Sequence, residues 1–598
     1  NVLNTCKPYL IALGVILALA VVITIAVKKL PKPKKKLIRA QSWIAFLLAF
    51  VVIVNMICWG PMSSMISLAT EKSDIQKETS DAATALCEQI ADEGIVLLKN
   101  EEGRLPLEEG TKLNVFGWAS TNPVYGGTGS GGLSDAYPTV SLLEGLENAG
   151  FEVNSELVDF YKDFRETRPT VGMWGQDWTI PEPTIEEYEE AGIFEAAKEY
   201  SDTAVIVISR SGGEGADLPT SLDPEVEDTF EEGGTFGASG LRISDQKDDL
   251  DASKHFLELT NREQAMLERV AEDYEDIIVI VNAANAMELG FVDEYEEISS
   301  VIWCPGTGQS GFNSLGSILK GETNPSAKTS DTFVKDLTKT PTYNNFGFFA
   351  YDNMDEFEVD GFVPNFVNYT DGIYVGYRFY ETAAEEGLFN YNEMVQYPFG
   401  YGLSYTTFEQ KMGELKVNDG TISVDVTVTN TGDVAGKDVV EIYYNPPYTD
   451  GGIEKASVNL IGFEKTELLE PGASETVTVT FTEEDMASYD NNNAKAYVLE
   501  KGDYEISLRT DSHTVVDTKT HTVDKTITYS GDNARSTDQT TATNQLDAAN
   551  GDLVYLSRAN GFANYKEATA APTNFTMSEE DKATFMNNSN NNPEDYNN

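Results

Sequence analysis

Hydrophobic and polar positions change rhythm three times along this chain. Residues 9–27 and 43–59 are almost unbroken apolar runs, each long enough to cross a bilayer as a helix, and the second has a tryptophan at either end, where interfacial aromatics belong. Between about 74 and 331, short apolar stretches at 112–118, 203–209, 277–281 and 299–303 alternate with longer stretches of helical period. Apolar residues on consecutive positions mark strands buried on both faces, as in a parallel sheet covered by helices. Two of the helices open with capping boxes, Thr184 with Glu187 and Thr260 with Glu263, in which hydroxyl and carboxylate satisfy opposite N–H groups of the first turn. The pattern predicts an α/β sandwich with a mostly parallel sheet. From 411 to 517 the period falls to two. Ile422, Val424, Val426 and Val428 alternate with polar neighbours, and turns at Thr431-Gly432, Pro471-Gly472 and Gly502-Asp503 separate further strands, which predicts a β-sandwich. Residues 518–598, rich in Asn, Asp, Ser and Thr, read as linker.

Charge sharpens this division. The 598-residue chain, long enough for several domains, carries 98 acidic against 42 basic residues, a net charge of −56, yet its first 60 residues hold eight basic and no acidic ones. Seven of those eight lie at 28–39, between the two apolar runs. The positive-inside rule places that segment in the cytoplasm, so residues 1–62 form a transmembrane hairpin and the domains after it face the outside of the cell membrane. A cleaved signal peptide fits less well, because the first run is too long for an h-region and a second span follows it. The acidic remainder repels phosphate backbones and excludes nucleic acid as a partner. Four scattered cysteines and three histidines offer neither a disulfide framework nor zinc-ligand spacing, so neither a metal nor a cofactor is implied.

Candidate chemistry concentrates in VIVISRSGGEGADLPT (205–220), where an apolar strand runs into a glycine-rich loop holding Glu214 between Gly213 and Gly215. Ligands of open α/β sheets bind outside the carboxyl ends of the strands, which makes a lone carboxylate there a candidate for acid/base work. A second glycine-rich loop, YGGTGSGG (125–132), satisfies G-x-G-x-x-G through Gly127, Gly129 and Gly132, with Glu152 following at about the dinucleotide spacing. Its context is wrong, since 133–138 intervene before a helix can start.

These loops belong to an ordered series: EGIVLLKNEEGRLPL (93–107), YGGTGSGG (125–132), SRSGGEGAD (209–217), NAANAMEL (282–289), WCPGTGQSG (303–311), ILKGETNPS (318–326), GIYVGYRFY (372–380) and YPFGYGLSYTTFE (397–409). The series resembles the carboxyl-terminal α/β-sandwich domain of glycoside hydrolase family 3, the β-glucosidases and β-xylosidases. VTNTGDVAGKDVVEIYY, LIGFEKTELLEPG and LEKGDYEISL resemble that family's fibronectin type III-like domain. Together the two resemblances cover roughly 80–510.

After the hairpin (1–62) read from the apolar runs, the resemblance implies an α/β-sandwich domain (74–331), a crossing segment (332–410), a fibronectin type III-like domain (411–517) and a linker (518–598). It places the general acid/base on Glu214 and sets Tyr125, Gly127 and Thr128 beside the sugar, while Asp217 either contacts sugar hydroxyls or positions the loop as a turn-forming aspartate. The family's (β/α)8 barrel, which supplies an aspartate nucleophile, is not found in these residues. The order resembles circularly permuted members, in which the barrel follows, and YLSRANGFANY (555–565) looks like the connector entering it. The implied protein is a membrane-tethered, outward-facing, retaining β-glucosidase-like enzyme acting on the O-glycosyl bonds of β-linked oligosaccharides, with this chain inactive by itself. The other reading is a non-catalytic cell-surface module that binds carbohydrate or protein. Trp118, Tyr125, Trp174 and Trp178 are read as either sugar-stacking or packing residues, and Tyr374, Tyr377 and Tyr380 as anchors of the segment crossing to the β-sandwich.

Overall fold

The structure is a computed structural model describing residues 2–70, 76–134, 137–172, 175–234, 237–347, 349–353, 365–538, 553–579 and 582–583. The chain divides into two compact units, Asn1–Ala83 and Thr84–Asn598.

In the first unit, α1 (Val2–Ala26) and α2 (Lys32–Trp59) are both long and apolar enough to cross a membrane. They pack on each other, and near the turn Arg39 donates to the Thr24 carbonyl (2.8 Å) while the Trp43 indole donates to the Thr24 hydroxyl (3.0 Å). The basic segment is more helical than its composition predicts. Residues 32–39 already belong to α2, because Pro33 sits in the first turn, where its missing N–H costs nothing.

The second unit opens with a six-stranded mixed sheet made of β1 (Val96–Asn100), β2 (Lys112–Phe116), β3 (Glu152–Val153), β4 (Ala204–Arg210), β5 (Ile277–Ala283) and β6 (Ile298–Trp303). Its order is β1-β6-β5-β4-β2-β3, with every pairing parallel except β1 against β6. The antiparallel edge strand β1 is absent from the strands read out of the sequence, being too short a run to separate from helix by periodicity. Consecutive residues of β4 serve opposite layers. Ile206 and Ile208 face one core with α4 (Ser155–Phe164), α5 (Ile193–Tyr200) and α6 (Asn261–Ala271), while Val205 and Val207 face the other with α3 (Leu142–Asn148) and α7 (Phe312–Lys320). Both predicted capping boxes form, at Thr184 and at Thr260.

Among the parallel strands the first, β2, sits between the second, β3, and the third, β4. The connection after β2 therefore runs to β3 on one side and the connection after β4 runs to β5 on the other, so the β2 and β4 loops diverge at a topological switch point, where open sheets form ligand crevices.

The β-sandwich faces β8 (Thr421–Asn430), flanked by β7 (Phe408–Met412) and β11 (Ser474–Thr482), against β10-β9-β12-β13 (Asn459–Lys465, Val439–Asn445, Gly502–Arg509, Val515–Val523). The alternating Ile422, Val424, Val426 and Val428 enter its core as the period of two demands. Tyr377 accepts from the Leu460 N–H (2.9 Å) and stacks on Phe399, and Tyr374 bonds Glu454, so these tyrosines do tie the crossing segment to sandwich residues. Three features depart from the linker reading of 518–598. Strand β13 continues past 517 to Val523, a short strand at Ile527–Tyr529 pairs antiparallel with Ala496–Leu499, and Leu556, Phe562 and Ala568 are buried with Phe379 and Tyr374 in a satellite core. Composition averaged over this segment hides three well-spaced apolar residues that an already folded neighbour can bury.

Candidate active site

The loop after β4 is a tight turn with Glu214 at its tip. Gly213 and Ala216 bridge to each other across it, leaving Glu214 and Gly215 as the corners. The second corner has φ +80°, a conformation that Gly adopts without the Cβ penalty. Ala216 is buried against Trp178, Val171 and Phe256, which pins the inner side of the turn and leaves Glu214 exposed at the tip. Gln176 supports the turn, donating to the Gly215 carbonyl (3.4 Å) while accepting from the Trp178 indole (3.1 Å).

The loop after β2 closes on this turn. Thr128 pairs with Gly213 through a parallel bridge, and its hydroxyl donates to the Glu214 carbonyl (3.2 Å). Gly213 has no space for a side chain there, since a Cβ would run into the Thr128 backbone nitrogen. Gly129 lies under the Glu214 side chain, where a Cβ would stand 2.7 Å from Oε2. Asn282 of β5 fixes the start of the β2 loop, accepting from the Val124 N–H (2.6 Å) and donating to the carbonyls of Val124 and Cys304 (3.0 Å each). Tyr125 is half-buried, edge-on to Phe312, and burial raises its phenol pKa. Thus Glu214, Tyr125, Gly127 and Thr128 come together at the switch point, while Asp217 is exposed on the outgoing arm of the turn.

Between the two loops lies a cleft of about 440 Å³, lined by 121–128, Leu133, 168–171, Ser211 and Gly212. Arg168 forms part of its wall. The guanidinium bonds the Asn122 carbonyl, Ser209 Oγ (3.1 Å) and Ser211 Oγ (3.4 Å), and lies over the Trp118 ring. Burial, followed by the nearby Arg210 charge, lowers its pKa to about 10. Trp118 and Trp178 are each 1 % exposed, so both are packing residues; Trp174 lies outside the described residues.

Three supporting groups have no motif of their own. Arg210, the last residue of β4, is fully buried and makes a bidentate pair with Glu263 (2.8 and 2.6 Å), the same glutamate that closes the capping box on Thr260. Arg168 and Glu182 are the others. Glu182 accepts from the Trp118 N–H (2.9 Å) and the Tyr188 hydroxyl (2.5 Å), and Tyr188 shares a hydrogen bond with Tyr161, which accepts from the Gly117 N–H (2.7 Å). This buried chain holds the loop leaving β2. Desolvation raises the Glu182 pKa to about 8, against the pull of its two donors. With the folded-state pKa above the unfolded one, the stability linked to its protonation is complete below pH 4.5 and is lost as pH rises toward 8. Glu182→Gln should therefore flatten the decline of the melting temperature between pH 5 and 8. An unchanged profile would show that the carboxyl is ionised throughout.

The family model of the glycosyl hydrolase family 3 C-terminal domain matches residues 95–405, more than half of the chain. The chain belongs to glycosyl hydrolase family 3. A fibronectin type III-like domain matches 438–512. Beta-glucosidase A of Butyrivibrio fibrisolvens is 34% identical over 447 residues, covering 71% of this chain and 49% of the relative, and a beta-glucosidase of Ruminococcus albus is 32% identical over 441 residues, covering 73% and 40%. Among solved structures, beta-glucosidase 3B of Thermotoga neapolitana in complex with alpha-D-glucose matches with a TM-score of 0.58 at 28% identity, covering 75% of this chain and 55% of that one. This family 3 chain spans about half the length of the curated relatives it matches.

Proposed function

We propose that this chain supplies the acid/base half of a retaining, exo-acting β-glycosidase of the β-glucosidase type, tethered to the cell membrane and facing outward. The observation that carries the reading is Glu214 at the tip of a glycine-bounded turn, held by the facing glycine-rich loop at the switch point of a family 3 α/β domain. Retaining hydrolysis needs two carboxylates about 5 Å apart, one attacking the anomeric carbon and the other protonating the departing oxygen and later activating water. Glu214 takes the second role. A nucleophilic aspartate on a (β/α)8 barrel outside these 598 residues takes the first; no closed eight-stranded parallel barrel forms among the described residues. An exposed Glu214 suits this division, because a second domain closing over the turn would exclude water from the acid and the leaving group. Tyr125, Gly127 and Thr128 would border the sugar, and Asp217 would reach its hydroxyls from the outgoing arm.

The test compares two polypeptides on aryl β-glucosides. The 598-residue chain alone is expected to show no turnover, whereas the polypeptide that includes the barrel should hydrolyse them with retention of anomeric configuration, read by NMR of the first-formed sugar. Turnover by the 598-residue chain that Glu214→Gln abolishes would place both carboxylates in this chain and overturn the division of labour.

The tether rests on the two apolar helices and on the seven basic residues at 28–39. Protease added to intact cells should remove the domains after residue 62. Digestion only after lysis would reverse the orientation.

A further inference from the structure

We infer that the cleft beside the Glu214 turn is a leaving-group site for aromatic aglycones that carry a carboxylate, with Arg168 as the residue that selects them. This rests on the acid/base reading of Glu214, since a group that protonates the departing oxygen has the aglycone next to it.

Three observations support it. The cleft adjoins the turn directly, as Thr128 and Gly212 line it and Thr128 bridges to Gly213. Its wall is mostly apolar or aromatic, with Pro123, Val124, Tyr125, Leu133, Pro169 and Val171, and its volume of about 440 Å³ admits a substituted phenyl ring. Into this wall is set one guanidinium, for which no described residue that lines the cleft supplies a counter-charge. Arg168 forms no ion pair among the described residues, in contrast to its neighbour Arg210, which Glu263 neutralises. Its partners are a carbonyl and two hydroxyls, and of the five N–H groups a guanidinium offers, one on Nη1 is left over for a ligand. A half-buried cation facing neutral groups is costly unless an anion completes it. A chain with a net charge of −56 has carboxylates to spare, and none of the described residues lining the cleft is one. An apolar cleft with a single cation matches a benzoate-like ligand better than a small hydrated anion, which would leave the apolar lining unused.

Two glucosides test this in the barrel-bearing polypeptide, 4-carboxyphenyl and 4-carbamoylphenyl β-D-glucoside, alike in shape and differing in charge. The wild-type preference in kcat/KM for the carboxylate over the amide should fall by about tenfold or more in Arg168→Gln, because charge-assisted hydrogen bonds to a guanidinium are lost. Taking the ratio between enzymes cancels the different leaving abilities of the two phenols. Arg168→Lys should retain part of the preference as a point charge. Binding provides a second readout on the 598-residue chain in detergent, where benzoate should give saturation-transfer NMR signals that benzamide does not. An unchanged ratio in Arg168→Gln would overturn the inference, as would benzamide or inorganic phosphate binding as well as benzoate. Should neither glucoside be hydrolysed, the acid/base reading fails and the benzoate comparison alone decides the cleft. The wild-type comparison likewise decides it if Arg168→Gln does not fold.

Discussion

Replacing Glu214 by alanine in the barrel-bearing polypeptide is expected to slow glycosylation by about 10²–10⁴-fold for substrates with poor leaving groups, the range typical of losing a positioned general acid. Activated aryl glycosides, whose phenolate departs without a proton, should lose far less in that step. Deglycosylation should slow for both, since water loses its base, and azide should restore turnover by attacking the glycosyl intermediate without deprotonation. Steady-state and pre-steady-state rates over a series of aryl leaving groups, with and without azide, read all three effects. The same substitution at Asp217 should give neither the leaving-group dependence nor the azide rescue. If Glu214→Ala slowed good and poor leaving groups alike and azide rescued nothing, Glu214 would be a turn residue only.

Breaking the Arg210–Glu263 pair should have the largest effect on stability. Arg210 ends β4, immediately before the Glu214 turn, and holds the segment ahead of α6 through bonds to the Phe256 and Glu258 carbonyls as well as to Glu263. Arg210→Met leaves a buried carboxylate and several carbonyls without their donor, which costs about 3–5 kcal/mol when one partner of a buried pair is removed. Adding Glu263→Gln removes the stranded charge while keeping a side-chain acceptor for the Thr260 N–H, so the double variant should recover much of the loss. Amide exchange over β4 and α6 measures this locally, without assuming that the whole chain unfolds as one unit. A cost below about 1 kcal/mol for Arg210→Met would mean that water or another residue replaces the guanidinium readily. Because the pair lies at the base of the turn, the same variant should lower kcat more than KM.

What this sequence determined by itself is whatever hydrophobic periodicity and local chemistry encode. The two spanning-length runs, the switch from buried parallel strands to a period of two, both capping boxes and the glycines around Glu214 are properties of neighbours in the chain, so a window of about ten residues contains them. Gly215 is an example, since the turn needs its positive φ whatever surrounds it. Tertiary structure alone decided which elements meet. Periodicity says that β4 is buried on both faces but not that β2 and β5 flank it, and so not that Thr128 would come to Gly213 across more than 80 residues. The same holds for Trp178, a plausible sugar platform as an isolated letter and a 1 % exposed packing residue once Phe256 and Ala216 cover it. Arg168, Arg210 and Glu182 carry no local signature, because a charged residue reads as solvent-facing until the fold encloses it. Their roles come from burial, which raises the electrostatic stakes of each charge and depends on contacts distant in sequence.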